Sequence, residues 1–267
     1  MAEPLEAYRR LLGGAVRSQF AYPASFGLQL AGQALAQGVD LLAILVLFGR
    51  VAAMGGFSRD EVLLIYGLAS VGFGLADLAV GQLDRLPDLI RSGELDAMLL
   101  RPLSVLGQLC AADVALRRIG RVAAGALTLG YALLAVEITW TPARVLLVIV
   151  SPLSGAVLLG AIWVVATSVC FWVVDGRELA NSVTYGSNEF TSYPITIFSD
   201  WVRRLLAFVV PGAFVAYYPV LGLLGKHDPL GLPTALQWCA PLVALVAVAA
   251  AALVWRTGLR RYVGTGS

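Results

Sequence analysis

The stretch "SGELDAMLLRPLS", Ser92 to Ser104, lies inside a polar segment, Gly81 to Arg121, that holds eleven charged residues in a chain only 13% charged. Ser92 can cap a helix, and Glu94 and Asp96 put negative charge in its first turn, where the helix dipole favours it. Leu95, Met98 and Leu99 fall at i, i+3 and i+4 and give one apolar face about two turns long. Arg101 is placed in the last turn, and Pro102 stops continuation. A helix this short is marginal alone in water. Its apolar face therefore needs a cover, either the lipid surface or another protein.

The surroundings of this segment fix the class. The chain has 267 residues, 59% of them hydrophobic, and a mean hydropathy of +0.81. A soluble domain has about 25% charged residues, and one core cannot absorb such a deficit. The reading is an all-helical polytopic membrane protein. A span needs roughly 20 apolar residues, and six stretches qualify: Phe26 to Ala52, Glu61 to Val80, Ile119 to Ala135, Val145 to Val174, Leu205 to Gly225 and Ala235 to Trp255. Pro211 and Pro219 leave the fifth either kinked or half spanning.

Arginine sets the expected orientation. With the N-terminus inside, fifteen basic residues lie on the cytoplasmic side, and only Arg50, Arg59, Arg144 and Lys226 lie outside. Both termini and the charged segment are then cytoplasmic. Leu5, Tyr8, Leu12, Val16 and Phe20 recur at helical spacing opposite Glu6, Arg9, Arg10 and Arg17, an amphipathic pattern suited to a membrane surface or to a solvated tail. Met1 to Ser18 is too polar for the core of a signal peptide, so targeting is expected from the first span. Cys110, Cys170 and Cys239 have neither metal nor disulfide spacing.

Polar residues at membrane depth are the candidate functional groups. Gln29, Gln33, Gln37 and Asp40 share one face of the first span. That face packs against other helices, lines a wet path, or forms a seam with a second copy. Tyr66, Ser70 and Asp77 make a similar line on the second span, with Asp77 expected near an arginine at the cytoplasmic end. Ser151, Ser154 and Gly155 offer small residues for close helix contact. Trp163, Trp172, Trp201, Trp238 and Trp255 suit an interfacial belt, and the segment from Glu189 to Arg204 reads as an interfacial elbow. His227 is the only histidine, and neither HExxH nor Gly-x-Ser-x-Gly occurs. Hydrolytic or metal catalysis by this chain is not expected.

The pattern Gly93, Glu94, Leu95, then Leu99, Leu100, Pro102 and Leu103, resembles the first cytoplasmic loop of type-2 ABC transporter permeases. "GGFSRDE" at Gly55 to Glu61, "IYG" at Ile65 to Gly67, "SYP" at Ser192 to Pro194 and "VVPGAFVAYYP" at Val209 to Pro219 are similar to the bacterial branch that includes a viologen exporter. The resemblance implies one permease domain over 1–267, with an interfacial helix at 1–25 and a coupling loop at 81–118. It implies that Glu94, Leu95, Asp96, Met98, Leu99 and Arg101 touch a cytoplasmic ATPase, two copies per complex. ATP and Mg would sit on that partner, consistent with the lack of a Gly-x-x-x-x-Gly-Lys-Ser/Thr pattern: Gly225-Lys226 has Val220 and His227 at the deciding positions.

The resemblance further implies a second permease subunit, identical or homologous, in a bacterial cytoplasmic membrane, with lipid around it and no nucleic acid. Gln33, Gln37 and Asp40 are the expected translocation-path residues, with Asp40 suited to a cationic cargo. Two other readings stand beside an exporter. One is a proton-coupled secondary transporter using Asp40 and Asp77; the other is a non-transporting membrane scaffold.

Overall fold

The structure is a computed structural model, and it describes residues 23–112, 118–173, 176–229 and 231–262, together with Gly13 and Ala115. The expected interfacial helix at 1–25 lies almost wholly outside the described residues. Among the described residues the regular elements are helical, as the composition predicts. Four helical stretches are long and apolar enough to cross a membrane: Gly27–Phe48, Arg59–Arg91, Pro142–Phe171 and Ala240–Arg261. Ile119–Ala135 is apolar but shorter.

Helix α1 (Pro23–Phe48) leads to a tight turn in which Gly55 and Gly56 take φ of 58° and 87°. Only glycine does this cheaply, and the turn lets Met54 and Phe57 exchange two backbone hydrogen bonds, of 2.9 and 3.0 Å. Ser58 then caps α2 (Arg59–Val80) in a reciprocal box with Glu61. The motif GGFSRDE is therefore a turn followed by a helix start.

Helix α2 is the central post: 78% of its apolar window is buried, against 11% for α1. Its partner α6 (Ile119–Ala135) approaches so closely that a Cβ on Gly67 would stand 2.7 Å from the backbone nitrogen of Leu129. Glycine at this crossing removes the side chain that would hold the helices apart. Helix α7 (Pro142–Ser168) packs on the other side of α2 through Gly72, Ser151, Ser154 and Gly155, the small-residue contact expected of this span. Helix α11 (Ala240–Arg261) leans on α7 through Ala244, Ala251 and Trp255.

Between α2 and α6 the chain forms three short helices, α3 (Leu86–Arg91), α4 (Glu94–Leu99) and α5 (Val105–Ala112). They lie at the end of the bundle that carries Asp77, Arg118 and Arg177, called here the arginine-rich end.

The fifth passage differs from the expected Leu205 to Gly225. Helix α8 (Arg177–Thr191) runs along the bundle from one end to the other. Arg177 is ion-paired with Asp88 at the arginine-rich end, and Tyr185 donates to Asp84. Just past the helix, Thr196 donates to the carbonyl of Gly55 at the far end. From there α9 (Asp200–Arg204) and a widened π turn (Leu205–Val209) descend into the bundle, where Val215 meets Gly155 of α7. The chain then returns through α10 (Tyr217–Leu224) to Lys226, which bonds Gly56 and Glu61 at the far end. Leu205–Leu224 is therefore re-entrant. Its apolar composition suggested a span, but Pro211 and a helix break at Ala216 prevent a continuous rod.

Candidate functional site

A small polar pocket, about 10 Å³ in volume, lies between α1, α2, α6 and α8. Gln37 and Asp40 come from α1, Tyr66 and Ser70 from α2, Arg121 from α6, and Asn188 and Glu189 from α8; Ser192 and Tyr193 close it. The Tyr66 hydroxyl donates to Oε1 of Gln37 at 2.9 Å, which ties the polar faces of α1 and α2 together. The residues predicted from α1 are thus divided. Gln37 and Asp40 reach the cavity, whereas Gln33 packs beside Gly120 at the start of α6, and Gln29 is exposed.

Two residues of this site carried no legible signal. Arg121 falls in a charged loop by sequence, and Glu189 in a presumed surface elbow. Only the path of α8 brings Glu189 opposite Asp40.

Next to the cavity, towards the arginine-rich end, Asp77 is buried and paired as expected. Arg118 reaches its carboxylate at 2.9 Å and its backbone carbonyl at 3.0 Å. Arg121 approaches the other oxygen at 3.9 Å while its guanidinium lies 4.9 Å from the Phe73 ring centroid. Phe73 stacks on Trp163, and Tyr185 meets both rings. Trp163 is not in an interfacial belt: it is wholly buried, and its Nε1 donates to Asp84 at 2.8 Å. Trp172, Trp201 and Trp238 are exposed, as a belt requires, but Trp255 is buried against Phe171.

The outer face of α8 carries Glu178, Ser182, Tyr185 and Glu189, all exposed, at intervals of four, three and four. That spacing puts them in one row. A row with two carboxylates is too costly to face hydrocarbon. It requires water or another polar surface.

The helix inside the opening stretch forms as α4, with two corrections. Gly93, in the left-handed conformation at φ 73°, occupies the cap position, while Ser92 Oγ accepts from the N–H of Glu94 and donates to the carbonyl of Leu89. The helix also ends at Leu99, so Arg101 lies in the following turn. Its apolar face is covered in part by the chain itself: Leu95 is wholly buried and Met98 packs on the same core, while Leu99 stays 43% exposed. Gln108 of α5 pins the segment by donating to the carbonyls of Met98 and Leu103, at 2.9 and 3.1 Å. Asp96 is half-buried beside Tyr262, whose phenol is raised by burial and by the Asp96 carboxylate. Glu94, Leu99, Leu100 and Arg101 remain outward, with Leu100 88% exposed. Leu100, the most protruding apolar group of the stretch, belongs to the family pattern but was not among the expected ATPase contacts.

A rigid short helix at one end of an all-helical membrane bundle, with a polar cavity inside it, defines a membrane transport component. Residues 34–266 match the family model described as ABC-2 family transporter protein, and the chain belongs to that family. It is an ABC transporter permease subunit, multi-pass in the membrane. No curated protein matches the chain, and no solved structure does.

Proposed function

We propose that this chain is the permease of an ATP-driven exporter. In this reading it crosses the membrane six times, through α1, α2, α6, α7, α8 and α11, with the arginine-rich end in the cytoplasm. Two permease subunits face one another across the polar row of α8. The path between them passes the Gln37–Asp40–Glu189 cavity. A cytoplasmic ATPase seats against Glu94, Leu99, Leu100 and Arg101, and the buried Leu95 and Met98 transmit its movement into the bundle. ATP and Mg belong to that partner. The cargo is an amphiphile bearing positive charge, because Asp40 and Glu189 share the cavity with one arginine that Asp77 also attracts.

The observation that carries this reading is the exposed polar row on α8. It gives the bundle a side that lipid cannot cover. The permeation residues would be Gln37, Asp40 and Glu189, with Gln33 at the margin. Closure of the ATPases must favour the outward-facing state by more than the resting bias opposes it. A proton-carrier role for Asp77 has less support, since its carboxylate is held by Arg118 and Arg121.

Two measurements test the proposal together. Native protein purified in mild detergent should retain an ATPase subunit in equal amount, and Leu100→Asp should release it without unfolding the permease. Cells expressing Asp40→Asn or Glu189→Gln should accumulate more tetraphenylphosphonium than wild type. Failure to recover an ATPase, together with unchanged accumulation in both variants, would refute the reading.

A further inference from the structure

A second cavity lies on the opposite flank of the bundle from the polar one. It has a volume of about 670 Å³, opens sideways, and is walled by α2, α5, α7 and α11. Seven of its eighteen lining residues are alanine or glycine, so the groove exists because side chains are missing where α11 leans on α7. Apart from Ser104 and Arg256, both at the arginine-rich end, the walls are hydrocarbon.

We infer that this groove is a binding site for one membrane phospholipid of the leaflet at the arginine-rich end. The acyl chain lies along the groove and the phosphate meets Arg256. Three properties select this occupant. First, the volume holds about twenty methylene-sized groups, taking about 30 Å³ for each, which suits one long acyl chain. Second, the polarity is graded as in a phospholipid: one cation and one hydroxyl at one end, apolar walls below. Third, Arg256 is followed on the same helix by Arg260 and Arg261, both exposed, which adds positive charge at headgroup level. The groove also touches the coupling segment. Val105 and Leu106 of α5 form part of its wall, and Gln108 of that helix pins α4. A bound chain would therefore support the element that α4 rests on.

The test is native mass spectrometry of the full-length protein purified in mild detergent. Wild type should carry one phospholipid per chain. Ala252→Phe and Ala79→Phe each place a ring in the groove from an exposed position, and each should lower lipid occupancy at least about tenfold. Arg256→Gln should weaken retention of phosphatidylglycerol when the protein is reconstituted in vesicles containing that lipid. Normal elution and helix content identify variants that still fold, and two independent groove-filling positions keep the test valid if one does not. Equal phospholipid on wild type and both groove-filled variants overturns the inference. So does a wild-type groove that holds detergent only, or a groove-filled variant whose subunit count changes while lipid stays constant. This result is independent of any transport assay.

Discussion

Replacing Asp77 should destabilise the protein more than replacing the arginine that binds it most closely. The Asp77 and Arg118 side chains are only 6% and 9% exposed, and they meet at 2.9 Å. Removing one partner of a buried ion pair costs about 3–5 kcal/mol, because it strands the other charge. Asp77→Asn strands two, since Arg121 also depends on this carboxylate. The loss belongs at the upper end of that range.

Arg118→Gln is different. Asp77 then keeps Arg121 at 3.9 Å, a separation where gross attraction is about 4 kcal/mol at an effective dielectric of 20. The net cost should be about half that of Asp77→Asn. In a chain of this size 1 kcal/mol moves the melting temperature by about 2–4 °C. Asp77→Asn should lower it by about 10 °C or more, and Arg118→Gln by about 5 °C. Thermal unfolding in mild detergent, followed by helix circular dichroism, reads both. The double variant should lose less than the sum, because each single change removes the same pair. An Arg118→Gln loss equal to or larger than that of Asp77→Asn would refute the shared-carboxylate argument.

Gly67→Ala should lower the melting temperature through overpacking of about 1–3 kcal/mol, because its Cβ meets Leu129 backbone. Gly130→Ala, in open space on the same contact partner α6, should be neutral or stabilising by up to about 1 kcal/mol; similar losses at both sites would contradict the packing. Leu95→Ala should cost about 2–5 kcal/mol in unfolding, whereas Leu100→Ala should stay within about 0.5 kcal/mol and reduce recovery of the ATPase in pull-downs. Burial pushes the Cys110 thiol up to about 11, so iodoacetamide should modify it slowly in a background lacking Cys170 and Cys239. The rate should rise about tenfold per pH unit from 7 to 10 without levelling, whereas an ordinary thiol with a pKa of about 8.5 levels off; a plateau near pH 9 would argue against burial.

Much of the architecture was readable from residue order because hydrophobic length acts locally. The long apolar helices fell where expected, and Asp77 found its arginine. The fifth passage was half legible: Pro211 and Pro219 marked Leu205 to Gly225 as kinked or half spanning, but hydropathy could not show that the chain turns back to Lys226. The same scan passes over α8, whose Arg177 and Tyr185 are matched by Asp88 and Asp84, distant in sequence. The cavity was half legible for the same reason. Gln37, Asp40, Tyr66 and Ser70 declare themselves by helical spacing, but Glu189 becomes significant only once α8 runs through the bundle. In the stretch from Ser92 to Ser104, periodicity put Leu95 and Met98 on the covered face. It could not reveal that the chain's own core would claim Leu95 and leave Leu100 outside.

The composition of α8 constrains how the protein is made. In the proposed six-span arrangement α8 is a costly span. A charged residue costs about 2.5–3.5 kcal/mol at the centre of an inserting helix and less near its ends. Helix α8 carries Arg177 and Glu178 in its first turn and Glu189 in its last, together with Asn181 and Asn188. Such a segment does not leave the translocon by its own affinity for lipid. It must be admitted by partners synthesised earlier, with Asp88 receiving Arg177 and Asp84 receiving Tyr185. Defects at Asp84 or Asp88 should thus surface during biogenesis, as molecules whose fifth segment is stranded in water and cleared by quality-control proteases before they are ever asked to work.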